Sequence, residues 1–500
     1  MQFIVNYFSI SILLITLFSC KNEAKEKKTS TEKSTKKPNV VYILTDQWRS
    51  TALGYAGNPD VKTPHLDAFA KQAVNFTNAV SVTPVCTPHR AALLTGKFPT
   101  TTVMVLNDIY LPSEEVTMAE IFKAEGYNTA YWGKWHLDGH GRSAYIPKER
   151  RQGFEYWKAL ECSHNYTKMP YYDNDNPEKK HWKGYSPFAI VKDANHYFEK
   201  YANDKTPFLA VIALGTPHYP HHSAPQKYKD MYPLDSLTLN PNIPDRLKER
   251  SRKELQGYYA HATATDEAIG SVLKKLKALH LMDNTIIVFS SDHGEMMGAH
   301  GIRPFVKQLA WKESSGVPFL IYQPKNDKNK GKIVNAPLTT PDILPTLLEL
   351  ADIKIPAFIE GENIADLVEN PNPNADRVAL MMNVIPFASN NKHSEFRAIK
   401  TKQYTFINQL KGENLLFDDV KDPYQMNNLW GNPDYKNIQK DLEGKLKTSL
   451  TNIGDTFQPR AYYMKKYNYF FGEKRPAVPY RRFDKGKGVV QSPKPYKAKK

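Results

Sequence analysis

Three short apolar runs stand out along the chain: NVVYIL (39–44), PFLAVIAL (207–214) and TIIVFSS (285–291). A strand buried on both faces has no polar side to alternate with, so each run reads as a parallel strand covered by helices. Between them lie helical patterns. TPHLDAFAKQAV (63–74) opens with Thr63 as N-cap and Pro64 at the first helical position, and ATATDEAIGSVLKKLKAL (262–279) precedes the third strand. SEEVTMAEIFKAEGYNTAYWGKW runs from a helix, through Gly126 at its end, into a strand over 127–132. Strands alternating with helices predict a doubly wound, mainly parallel α/β sheet sandwiched by helices. After a loop-like stretch near 370–377, shorter β-rich pieces (RVALMMNV, FRAIKTKQYTFIN, ENLLFDD) and a helix over 435–452 predict a small C-terminal antiparallel sheet.

The N-terminus follows neither pattern. Phe8–Phe18 is apolar but too short to span a bilayer, which takes about 20 residues. It ends in LFSC, so residues 1–19 read as a lipoprotein signal peptide with Cys20 the lipidated residue. An ordinary cleaved signal or a buried helix is the alternative. Residues 20–37 form a polar tether, 38–372 a catalytic domain, and 373–500 a C-terminal α+β subdomain with a basic tail. The expected location is outside the cytoplasm, anchored by lipid to a bacterial membrane, periplasmic or surface-facing.

Composition narrows the partners. Five hundred residues with 41% hydrophobic content can bury a sizeable core. The net charge of +16 is concentrated in the tether and the tail, where charge is usually just solvated. Nucleic acid is not an expected partner of an exported protein, whereas a polyanionic carbohydrate would be drawn by the positive field. Of the three cysteines, Cys20 is assigned to acylation and Cys86 to the chemistry below, which leaves Cys162 without a disulfide partner.

Cys86 lies in CTPHR, between an extended run and the helix-forming AALLTG. The order NVVYILTDQWR (39–49), CTPHR (86–90), GKWHL (133–137), TPHYPH (216–221), FSSDHGE (289–295) and AHGIRPFVK (299–307) resembles the type I sulfatase family, of the alkaline phosphatase-like superfamily. LFDDVKDPYQMNNL (416–429) resembles that family's C-terminal stretch. The resemblance implies that a formylglycine-generating enzyme oxidises Cys86 to formylglycine. The hydrated aldehyde then offers one hydroxyl to attack sulfur and a second whose deprotonation expels sulfate.

It further implies a divalent cation, Ca²⁺ by first choice, held by Asp46, Gln47, Asp292 and His293 with residue 86 as a fifth ligand. Many relatives have a second Asp at the position of Gln47 and Asn at that of His293. The variants found here also occur in relatives that cleave phosphonate or phosphate esters. Arg90 would orient the nucleophile, Lys134 and Lys307 would bind sulfate, His136 would take the second hydroxyl's proton, and His218 would protonate the leaving oxygen. His221 and His300 are candidate substrate contacts.

The expected activity is sulfate monoester hydrolysis on a sulfated carbohydrate, a polysaccharide or its oligosaccharides. The alternatives are a phosphonate or phosphate ester hydrolase on the same fold, or an inactive protein that binds sulfated glycans. Tyr and Trp in the segment 156–185, which looks like an insertion, could stack on sugar rings or simply pack.

Overall fold

A computed structural model of the chain describes residues 36–467 and 469, apart from 374 and 391. The signal peptide, Cys20, nearly all of the tether and the basic tail lie outside the described residues. Residues 37–500 make one unit and 1–36 another.

Four strands carry the centre of the fold: β1 (Asn39–Asp46), β2 (Asn128–Lys134), β3 (Phe208–Pro217) and β4 (Thr285–Ser291). They lie side by side in the order β4-β1-β3-β2, all parallel, inside a ten-stranded sheet. Tyr156–Leu160 continues the parallel run beyond β2, and antiparallel strands 170–173 and 176–181 finish that edge.

The continuous apolar runs are explained by what covers each face. Val41 and Ile43 of β1 pack with Tyr258, Ala262 and Ile269 of one helical layer, and Val40, Tyr42 and Leu44 pack with Ala91, Phe122 and Leu347 of the other. This is the three-layer α/β architecture that the strand and helix pattern predicts. The C-terminal region adds an antiparallel sheet of four strands (379–383, 396–400, 404–409, 415–418) with a helix over Lys436–Asn452, as expected.

Two helices differ from expectation. Helix 63–74 is only Pro64–Ala70, and it gives way to a strand at Val74–Phe76. The helix expected over 262–279 begins at Asp245 and runs to Ala278. Its first half was obscured by the charged sequence DRLKERSRKELQG, yet Leu247, Ser251, Leu255 and Tyr258 recur at helical spacing on a buried stripe. Gly257 interrupts that half because a Cβ there would lie 2.3 Å from the His221 carbonyl oxygen. The missing side chain lets the long helix press against the TPHYPH loop.

Candidate active site

All four central strands end at one edge, and the residues of interest follow directly from that. Asp46 closes β1, Lys134 closes β2, His218 follows β3 and Asp292 follows β4. Cys86 is the first residue of the helix Cys86–Thr95, which is buried along its whole length. The helix N-terminus therefore presents Cys86 to the sheet edge with the positive end of the helix dipole behind it.

Around the Cys86 sulfur lie His293 Nε2 at 3.3 Å, Lys307 Nζ at 3.4 Å and Asp46 Oδ1 at 3.8 Å. His293 Nε2 is in turn 3.6 Å from Asp46 Oδ1 and 3.4 Å from Asp292 Oδ1. Asp46, Cys86, Asp292 and His293 have ligand atoms within 4.8 Å of one another, all buried. Such spacing suits donors around one cation whose ligands stand about 2.3–2.6 Å away. The histidine is prepared for that role, because its Nδ1 lies 2.9 Å from the Gly294 carbonyl and so carries the proton. Nε2 is left with a lone pair facing the carboxylates. Gln47 joins the group through Oε1, which accepts from Lys307 at 2.9 Å. The donor set of two carboxylates, an amide oxygen and an imidazole fits a divalent ion.

Burial of two adjacent carboxylates demands compensation. Arg90 reaches Asp292 Oδ2 through Nε and a terminal nitrogen at 3.2 and 3.0 Å, and it donates to the Lys134 carbonyl at 2.7 Å. Lys134 Nζ lies 2.5 Å from Asp46 Oδ2. Burial and the neighbouring Asp46 push Asp292 above the ordinary carboxylate range. Burial and Cys86 act on Asp46 in the same sense, but Lys134, Lys307 and Arg90 outweigh them and hold it below that range.

The histidines divide into two groups. His136 sits at positive φ (61°) with Nε2 2.9 Å from Asp108, which Arg142 grips through both oxygens at 2.9 Å. Its other nitrogen, Nδ1, is buried and has no partner among the described residues. Burial lowers its pKa, but Cys162 and the Asp108 hydrogen bond raise it to about 9. His218 Nδ1 bonds the Tyr219 carbonyl at 2.8 Å, and its Nε2 faces Lys307 Nζ at 3.0 Å. Burial and then Lys307 hold its pKa well below the usual histidine value, so the ring is neutral near pH 7.

His221 and His300 stand away from the sulfur. His221 lies behind Gln47, between Glu254 at 3.1 Å and Glu295 at 3.3 Å. His300 stacks on Trp311 at 3.9 Å and meets Asn242 at 3.1 Å, in a separate polar cluster with Glu313.

Sequence reasoning missed Asp108, Glu295 and His164, whose ring stacks on that of His218 at 4.4 Å. Glu295 lay in plain view within SDHGE; Asp108 and His164 belong to loops where no short motif marks them. The aromatic residues of the segment 156–185 mostly pack: Trp157, Tyr172 and Trp182 are buried, and Tyr171 stacks on Trp182 at 4.0 Å.

The sulfatase family model matches residues 38–353, and a model of the C-terminal region of N-sulphoglucosamine sulphohydrolase matches 298–452. The chain belongs to the sulfatase family. It is 66% identical to an ulvan-active sulfatase of Formosa agariphila, over 97% of this chain and 94% of that one. An endo-4-O-sulfatase of Bacteroides thetaiotaomicron is 31% identical over 84% of this chain and 92% of its own length. A solved structure from glycosaminoglycan metabolism in Bacteroides thetaiotaomicron superposes with a TM-score of 0.75 at 29% identity, covering 86% of this chain and 98% of that one. This sulfatase is accordingly a sulfuric ester hydrolase.

The paired carboxylates around His221 have a consequence for stability. Burial lowers its pKa, but Glu295 and Glu254 raise it to about 9, above the ordinary 6.5. A raised folded pKa contributes stability fully below about pH 6.5 and loses it as pH climbs through about 9. His136 has the same sign. Urea unfolding of His221→Gln at pH 6, 7.5 and 9 should therefore show a shallower alkaline loss than wild type, with the remaining slope carried by His136.

Proposed function

We propose that this enzyme is an exported sulfatase that removes sulfate from a sulfated polysaccharide or its oligosaccharides, with ulvan the first substrate to test. The activity of the Formosa agariphila relative supports that choice. The observation that carries the catalytic reading is the convergence of Lys307, His293 and Asp46 on the Cys86 sulfur at a helix N-terminus. In this reading a maturation enzyme converts Cys86 to formylglycine, whose hydrate would supply two hydroxyls where cysteine has a single S–H, and a divalent cation would supply the charge that favours their deprotonation. Calcium remains the first choice of ion, with His293 also suiting manganese or zinc.

The chain's own residues then have separable tasks. Asp46, Gln47, Asp292 and His293 hold the cation, and Arg90 keeps Asp292 in place. Lys134 and Lys307 offset the sulfate's negative charge, which grows on the leaving oxygen as the bond breaks. His136 Nδ1, buried and without a partner among the described residues, takes the proton of residue 86 when the ring is in its neutral form, which a pKa raised to about 9 leaves in the minority near pH 7. His218 Nε2 is the proton donor to the leaving alcohol. Burial and then Lys307 depress its proton affinity in the unliganded site, and an arriving sulfate ester offsets the charge of Lys307 and so favours the protonated ring. His300 lies too far into its own cluster to share these tasks in the present arrangement.

Peptide mass spectrometry should find residue 86 as formylglycine in active protein, and Cys86→Ser should fold but lose turnover. Parallel rates on ulvan oligosaccharides, an aryl sulfate and a phosphodiester test the reaction class. Faster phosphodiester cleavage would favour the ester-hydrolase alternative that Gln47 and His293 keep open. His218→Ala should slow alkyl sulfates about 10²–10⁴-fold and aryl sulfates far less, because a phenolate leaves more readily without a proton. Cys20→Ala should release the protein from the membrane fraction while leaving its activity on a soluble sulfate ester unchanged.

A further inference from the structure

Of the four side chains read as cation ligands beside residue 86, Gln47 is the one that offers an amide, and that amide could in principle face either way, since its oxygen and nitrogen have nearly the same shape. Its surroundings are not symmetrical. Nε2 lies 2.8 Å from Glu295 Oε2, and Oε1 lies 2.9 Å from Lys307 Nζ. A carboxylate only accepts and an ammonium only donates, so a flipped amide would lose both hydrogen bonds and gain two like-sign contacts. The backbone of Gln47 is equally constrained. It sits at φ 66°, its N–H donates to Asp292 Oδ1 at 3.1 Å, and its carbonyl accepts from the Tyr258 hydroxyl at 2.8 Å.

Glu295 is itself wholly buried and tied on every side. Oε1 accepts from the Phe305 N–H at 3.0 Å, and His221 makes an ion-pair contact with Oε2 at 3.3 Å while Glu254 engages its other ring nitrogen. A buried carboxylate keeps its charge only when it is paired in this way.

We infer that Glu295 is a positioning residue that aims the Gln47 oxygen at the cation site and excludes a carboxylate from position 47, with His221 as its counter-charge. The inference rests on the reading of Asp46, Gln47, Asp292 and His293 as cation ligands. It accounts for an amide at position 47: a carboxylate reaching as far as the present amide would meet Glu295 at hydrogen-bonding distance. That contact would set acceptor against acceptor with no donor between them, and would turn the side chain at position 47 away from its present aim. It also gives His221 a task behind the site, in place of the substrate contact expected from its motif.

The test is a charge exchange read as metal content. Wild type, Glu295→Gln, Gln47→Glu and the double variant are dialysed against buffered Ca²⁺ or Mn²⁺, and bound ion is measured by elemental mass spectrometry alongside the melting temperature with and without chelator. Each single variant should bind the ion about 10–100-fold more weakly. The double variant restores a carboxylate–amide pair across the contact, and His221 can then accept from the new amide as a neutral ring. Its loading and its chelator-sensitive melting shift should return toward wild type. If a single variant fails to fold, recovery of folded, ion-loaded protein in the double supports the inference equally. Losses that add in the double variant, or unchanged loading in Glu295→Gln, would overturn the inference and leave the cation site standing. A wild type that binds no divalent ion would overturn both.

Discussion

Two carboxylates buried at the ends of adjacent parallel strands constrain everything else at this site. The register of β1 against β4 pairs Thr45 with Ser291, so Asp46 and Asp292 leave the sheet together at its carboxyl edge. Neither can reach water. Such a pair is tolerated only where cations meet it in fixed geometry, and removing one partner of a buried ion pair typically costs about 3–5 kcal/mol. Arg90 answers Asp292 from the Cys86 helix, and Lys134 answers Asp46 from the end of β2. The same requirement explains why the Cys86 helix is buried on all sides, since its N-terminal half must bring both Cys86 and the Arg90 guanidinium into the protein.

Holding these groups still requires strain and anchoring. Gln47 and His136 both adopt positive φ, which non-glycine residues rarely take and which persists only where the surroundings over-determine it. Gly133 serves the same edge differently: a Cβ there would lie 2.0 Å from the Ala213 carbonyl oxygen, so glycine lets β2 close on β3 just before Lys134. Lys307 is anchored through its neighbour. Gln308 donates its N–H to the Pro84 carbonyl at 2.9 Å, accepts from the Asn383 amide at 2.9 Å and accepts from the Phe387 N–H at 3.2 Å. One residue thus links the segment before Cys86, the lysine loop and the chain leaving the first C-terminal strand.

Much of this architecture was legible in the sequence because it rests on local signals. Uninterrupted apolar runs specify buried parallel strands, and short motifs at strand ends place their polar residues on one edge whatever the loops between them do. Residues whose partners are distant in sequence were not legible. Asp108 acquires its role only by meeting His136 and Arg142, and His221 turns inward because Gly257 lets a helix approach its backbone. The motif containing His221 gave its chemistry but not its direction. The first half of the long helix was hidden for a related reason: its buried stripe is narrow, and charged residues fill the other positions.

The segment 156–185 shows how packing redistributes expected functions. Its aromatic residues were candidates for sugar stacking, but Trp157 lies in the core with Tyr131 and Trp135, and Trp182 is sealed by Tyr171. What the segment brings to the site is polar. Cys162 and His164 lie 3.8 Å apart, and His164 covers the face of His218 while Tyr166 bonds the Tyr219 carbonyl. If His218 protonates the leaving sugar oxygen, this segment frames that proton donor directly. A flat ring stacked on the donor fixes its plane without competing for its hydrogen-bonding edge, which leaves Nε2 free to exchange Lys307 for the substrate.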